Sequence, residues 1–305
     1  MSHVPPPSHV AQLNVAHLRA PIDHADVEEF RLGLAPVNAL GEAAPGYVWR
    51  LQTDDGDATA VRVSDDPLMI VNLTVWQSVE ALHDFAYSGV HRDFLRRRAA
   101  WFTDDGRRSA LWRLPVGEVP TVPDAVRRLA FVDRFGETDF VWERVRERRH
   151  LVVAEHELGD DLSLELIGEL NAELEASTPG PHFFSLEPSE VAPGAGAFVV
   201  AWLDGSPVGC GAVRLLDDGA GEVRAEVKRM YVRPAGRGAR VGAALLYELE
   251  RRARALGAAQ MVLETGPGLD AALGLYATSG FEPCPPFGAY ACSPASVCFA
   301  KALTT

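Results

Sequence analysis

Residues 233–243, RPAGRGARVGA, set three arginines and three glycines between a strand-like stretch, EVKRMYV at 226–232, and a run with helical spacing. Val241, Leu245, Leu249, Ala253 and Leu256 repeat along one helix face. A strand that passes through an Arg/Gly loop into a helix N-terminus makes an anion site. The first-turn amides lack intrahelical partners, and the helix dipole places partial positive charge there. Glycines admit a phosphate close to the backbone because no Cβ intervenes. Arg237 and Arg240 add mobile positive charge. The chemistry is retention of a phosphorylated ligand. No Lys-Ser/Thr follows the glycines, so this is not a P-loop, and the G-x-G-x-x-G register of a dinucleotide fold is missing.

The elements around the loop follow from the same pattern. Gly257 stands where a helix C′ glycine belongs, with Arg251, Arg252 and Arg254 in the last turns. Glu248/Arg252 and Glu250/Arg254 are expected i,i+4 pairs. Residues 261–266, MVLETG, read as the next strand, and DAALGLYATSGFEP as a short helix ending at Gly280. Upstream, residues 151–158 read as a strand, 162–174 as an amphipathic helix, and 196–216 as a hairpin turning at Asp204-Gly205-Ser206-Pro207.

The run Arg237-Gly238-Ala239-Arg240-Val241-Gly242 resembles the Q/R-x-x-G-x-G/A signature of GNAT acetyltransferases, departing from it at Arg240, where the family has glycine. Leu275-Tyr276 with Gly280-Phe281 resembles the element that closes the coenzyme site of that fold, and the resemblance covers residues 150–303. It implies a mixed-sheet GNAT domain that uses acetyl-CoA to acetylate the amine of a small molecule, by direct attack in a ternary complex. It implies cofactor contacts from Met230, Tyr231, Val232, Arg237, Gly238, Ala239, Arg240, Val241, Gly242, Ala243 and Thr265, with strands splayed beside Met230-Tyr231-Val232. Arg240 serves at the glycine position if its φ is helical. Tyr276 falls where the general acid for the departing sulfur stands, and otherwise reads as a core aromatic. Glu226 falls at the position of a catalytic base, and otherwise binds a cationic substrate or pairs with Lys228 or Arg224. Phe183, Phe287 and Tyr290 are pocket aromatics or packing.

At 305 residues the chain has room for about two domains. A formal charge of −13 argues against nucleic-acid or anionic-membrane partners. The four cysteines, Cys210, Cys284, Cys292 and Cys298, lack metal-ligand spacing, and free thiols are expected, with no metal. No apolar run is long enough to span a bilayer, and the opening MSHVPPPSHV has no signal-peptide pattern, so a cytoplasmic protein is expected.

The first half reads as strand, helix, strand, strand, helix, strand, which is the split βαβ pattern. The helices are placed at 26–40, with Pro36 straining its end, and from Ser78 through Tyr87 toward Trp101; a later helix covers 123–135. The stretch VWQSVEALHDFAYSGVHRDFLRRRAAWF, with LWRLPVGEVPTVPDAVRRL, resembles an uncharacterised bacterial family. That family's fold resembles the dimeric α+β barrels of antibiotic-biosynthesis monooxygenases, which implies a ferredoxin-like domain over 10–142 and a homodimer. Tyr87, His91, Arg98 and Trp101 either line a small-ligand site or divide into core aromatics and a solvated edge. The expected whole is α+β, with the second domain over 150–305 beyond a charged linker at 143–150. Two other functions stay open: a non-catalytic coenzyme A-binding regulator, and a bifunctional enzyme with an oxidative first domain.

Overall fold

A computed structural model describes residues 4–104, 108–177, 185–216, 221–266, 268–291 and 296–303. The chain divides into two compact units, Pro6–Arg149 and His150–Thr305. Phe183 lies outside the described residues.

The first unit runs β1 (Ser8–His17), α1 (Glu28–Glu42), β2 (Tyr47–Arg50), β3 (Met69–Trp76), α2 (Val79–Ala86), α3 (Gly89–Arg97), β4 (Arg108–Pro115), α4 (Val122–Phe135) and β5 (Val141–Trp142). Its sheet has the order β2-β3-β1-β4-β5, with every neighbour antiparallel. The first four strands therefore take the split βαβ order. Alternation sends Val10, Trp76, Leu111 and Trp142 to one face, where they pack with Val79, Leu82 and Ala86 of α2. Trp112 faces the other way, beneath α4, with the Arg128 guanidinium 4.8 Å from its ring centre and 4.9 Å from that of Phe140.

Two expectations for this unit are corrected. Pro36 lies inside α1, which continues to Glu42. The long helix from Ser78 is two helices. Ser78 caps the first by accepting from the Ala81 amide. The Ser88 hydroxyl then bonds back to the Asp84 carbonyl, and Gly89 takes a left-handed φ of 48°, so the ladder ends at Tyr87. The break separates the four proposed pocket residues. Tyr87 is exposed against His83. His91 packs on Phe85 with Nδ1 on the Ala86 carbonyl, and burial lowers its pKa although that bond opposes the shift. Arg98 sits in the exposed turn after α3, and Trp101 is core, packed with Phe30 and Phe94.

The second unit runs β6 (Leu151–Glu155), α5 (Asp161–Ser177), β7 (Gly196–Leu203), β8 (Ser206–Leu216), β9 (Arg224–Val232), α6 (Val241–Ala255), β10 (Gln260–Thr265), α7 (Asp270–Thr278), β11 (Glu282–Pro283) and β12 (Val297–Ala302). The seven-stranded order is β11-β12-β10-β9-β8-β7-β6, antiparallel except for β9 with β10. Asp204 and Gly205, with φ of 49° and 83°, make the tight turn between β7 and β8. Leu162, Leu166 and Leu170 of α5 cover Val152, Phe198, Val200 and Ala212 on one face. On the other, α6 comes so close that a Cβ at Gly211 would lie 3.0 Å from Leu249. Arg254 pairs with Glu250 as expected, whereas Arg252 reaches Glu155 and Glu248 pairs with Arg251. Among the described residues no helix is long and apolar enough to cross a membrane.

In the first unit, a Cβ added at Gly33 of α1 would fall 2.3 Å from the Phe94 ring of α3. Gly33→Ala is expected to destabilise this unit by about 1–3 kcal/mol through overpacking. Chemical denaturation of the natural and substituted chains checks it, and an unchanged midpoint would remove the close packing of α1 on α3.

Candidate active site

The site is built where β9 parts from β10. Their ladder runs from Gln260↔Arg224 to Leu263↔Val227 and stops, while β9 continues to Val232 and β10 to Thr265. A bulge accompanies the parting. Cys210 pairs with Tyr231 and Ala212 with Lys228, so Arg229 and Met230 together oppose Gly211, and Arg229 takes a φ of 55°. Among the described residues the β10-facing edge of β9 has no strand partner beyond Val227, leaving Met230-Tyr231-Val232 available for backbone pairing with a ligand. The sequence carries no glycine to announce this bulge.

The loop after β9 presents the anion site. Pro234–Gly236 form one 3-10 turn, and buried Gly236 fits where a Cβ would meet Val208 at 2.9 Å. Gly238, with a φ of 80°, opens onto free space. Arg240 is the N-cap of α6 and lies in the left-handed region, φ 60° and ψ 20°, which corrects the expectation of a helical φ. The glycine of the signature is thus replaced at a position whose backbone still has glycine's conformation. Arg240 supplies no side-chain cap, and among the described residues the amides of Val241, Gly242 and Ala243 have no protein acceptor. They can receive phosphate oxygens. Arg237, read as mobile charge, donates to the Val232 carbonyl and to Glu173, an exposed pair. Arg233 clamps the loop root to α5 through Glu165 and Glu169.

Tyr276 of α7 lies among the rings of Phe281 and Phe299 and is 7% exposed. Among the described residues its hydroxyl makes no hydrogen bond. Burial, with a smaller contribution from Glu264, pushes its pKa up to about 12, so the phenol holds its proton at neutral pH. Thr265 is buried at the open end of β10.

Glu226 is 0% exposed, and both its oxygens are engaged. Arg214 of β8 donates Nε and Nη2 to Oε2, each at 2.7 Å. Tyr290 donates its hydroxyl to Oε1 at 2.6 Å, and Lys228 Nζ stands 3.9 Å from the same oxygen. Neither Arg214 nor Tyr290 was foreseen as a partner: they lie 12 and 64 residues from Glu226, and no periodic pattern links them. Arg224 instead lies over the Phe287 ring. Phe287 and Tyr290 meet edge to face and pack with Val262 and Cys298. Cys210 is buried in the sheet, its thiol pushed up to about 12 by burial, and the thiols of Cys284 and Cys298 are raised by the same cause. Among the described residues no group of three or more His, Cys, Asp or Glu could hold a metal.

A parted strand pair with an open helix N-terminus beside it can hold a ligand that carries both amides and phosphates. Residues 164–281 match the model of the acetyltransferase (GNAT) family, and residues 9–150 match that of a domain of unknown function, DUF3291. The chain is 36% identical over 143 residues to an IAA acetyltransferase of Azospirillum brasilense, a stretch that covers 47% of this chain and 92% of that protein. The chain belongs to the GNAT acetyltransferase family. Solved structures similar to it include a candidate acyl-CoA N-acyltransferase from Klebsiella pneumoniae subsp. pneumoniae, at 30% identity and a TM-score of 0.44, covering 50% of this chain and 98% of that one. Another is a GNAT family acetyltransferase from Elizabethkingia anophelis with acetyl-CoA bound, at 18% identity and a TM-score of 0.36, covering 50% and 97%.

A left-handed arginine costs about 1–2 kcal/mol that glycine does not. Arg240→Gly is therefore expected to raise the melting temperature of this unit by about 2–8 °C. Calorimetry checks it. A fall would mean that the Arg240 side chain contributes more than its backbone costs.

Proposed function

We propose that residues 150–305 form a domain that transfers the acetyl group of acetyl-CoA to the amine of a small molecule, by direct attack in a ternary complex. Residues 10–142 form a separate domain. The observation that carries the proposal is the parting of β9 from β10 beside the open N-terminus of α6, where a Cβ at Gly242 would lie 3.8 Å from Val232. The amides of Val241, Gly242 and Ala243, with Gly238 and Ala239, hold the pyrophosphate, and Arg237 exchanges Glu173 for it. The open edge at Met230-Tyr231-Val232 pairs with the amides of the pantetheine arm and polarises the thioester carbonyl. Thr265 lines the same opening, and Phe287 and Tyr290 back the acceptor side.

The thioester supplies an activated acyl carbon. The acceptor nitrogen forms its bond to that carbon while the C–S bond breaks, and the Tyr276 hydroxyl delivers a proton to the leaving sulfur. A phenol raised to about 12 suits this step, because it remains an acid at every pH at which an amine can attack. Glu226, its carboxylate wholly enclosed, acts on the acceptor only through the groups bonded to it.

Acetyl-CoA-dependent thiol release is to be measured over a panel of amines, for the natural chain and for Tyr276→Phe. The expected result is an amine-stimulated rate that falls by about tenfold or more in the variant. Acetyl-CoA affinity should be unaltered, and the natural chain should lose no rate to phenol ionisation below about pH 10. Tight acetyl-CoA binding with no turnover on any amine would favour a non-catalytic coenzyme A-binding regulator.

A further inference from the structure

Resting on the transferase reading, we infer that Lys228 takes the proton from the incoming acceptor ammonium, with Tyr290 and Glu226 as the positioning residues that hold it. Four observations converge on this residue.

The first is its place. Lys228 is the first β9 residue beyond the last rung shared with β10. The register puts Arg214, Glu226 and Val262 opposite one another, and alternation puts Lys228 on their face of the sheet. Tyr276 packs on Phe299, the partner of Leu263, and so belongs to the other face, with α6. The thioester-side groups and the Lys228 group thus approach the opening from opposite faces, as attack by a separate acceptor requires.

The second is the hydrogen-bond chain. The Tyr290 hydroxyl spends its proton on Glu226, so it can only accept from Lys228, whose Nζ is 3.4 Å away. Arg214 fixes the far end by a two-point bond to the same carboxylate. The third is enclosure: Glu226 has no exposed surface and cannot meet an acceptor itself, whereas Lys228 beside it retains 7%.

The fourth is the surrounding charge. Burial lowers the Lys228 pKa, and Arg214 of β8 and Arg229 of β9 push the same way. Glu226 and Glu264 of β10 oppose them. Tyr290 and Cys298 on the same side are raised in pKa and stay neutral. The net shift is downward, which favours the free amine that a base must offer.

The step balances. The acceptor ammonium gives one proton to the Lys228 amine, and the freed lone pair forms the N–C bond as the C–S bond breaks. Sulfur leaves with the Tyr276 proton, the second nitrogen proton restores the phenol, and Lys228 returns its proton to solvent. One proton is released per turnover.

The test compares kcat/KM for an amine accepted by the natural chain, against pH, in the natural chain, Lys228→Gln, Lys228→Arg and Tyr290→Phe. Acetyl-CoA affinity, measured in parallel, reports whether each variant is folded. Lys228→Gln and Lys228→Arg are both expected to lose about 100-fold, because a guanidinium cannot give up its proton. Both should also lose the limb on which the natural rate rises with pH. Tyr290→Phe removes a bond that draws charge from Glu226, so the carboxylate holds the Lys228 proton more firmly and the limb moves to higher pH. Natural rate and profile in Lys228→Arg would make the residue a cationic anchor and overturn the inference. An undisturbed limb in Lys228→Gln overturns it too, while amine-dependent turnover by the natural chain leaves the transferase reading standing.

Discussion

The second half of this protein depends on one extra residue in one strand. Opposite Gly211, β9 spends two residues, Arg229 and Met230, where its neighbour spends one. The bulge adds twist at the place where β9 must leave β10. Arg229 holds a backbone conformation costing about 1–2 kcal/mol for a residue with a side chain. Burial around it over-determines that conformation: Leu249 of α6 closes on Gly211 from one face, and Tyr231 packs with the α5 cluster on the other. The bulge lies just beyond the last rung shared with β10, at the point from which the edge of β9 has hydrogen bonds to offer.

The same local economy explains what the sequence made legible. The Asp204-Gly205 turn and the Gly257 stop are short-range signals in which residue type and conformation agree, and each lies where the sequence places it. Tyr276 is singled out in the sequence only by its family motif, and the fold sets it among the rings of Phe281 and Phe299. What was hidden depends on contacts between distant strands. Arg214, Glu226 and Tyr290 come from three elements, and only the folded register brings them within hydrogen-bond reach. Arg229 and Arg240 were hidden for another reason: both adopt left-handed backbone without being glycine, so side-chain chemistry pointed away from their conformation.

In the first unit the strand order could be read, because alternating apolar residues and helix caps mark the elements. The break at Ser88-Gly89 overrode a helical spacing of apolar residues that looks continuous on paper. Local hydrogen bonding decided the matter, and with it which aromatics face each other.

The distribution of sulfur has a practical consequence. Every cysteine of the chain falls after residue 209, and none lies in the first unit. Cys210, in the centre of the seven-stranded sheet, is kept protonated and out of solvent, so an alkylating reagent meets it only when that sheet opens. Its labelling rate is a clock for the opening of that sheet.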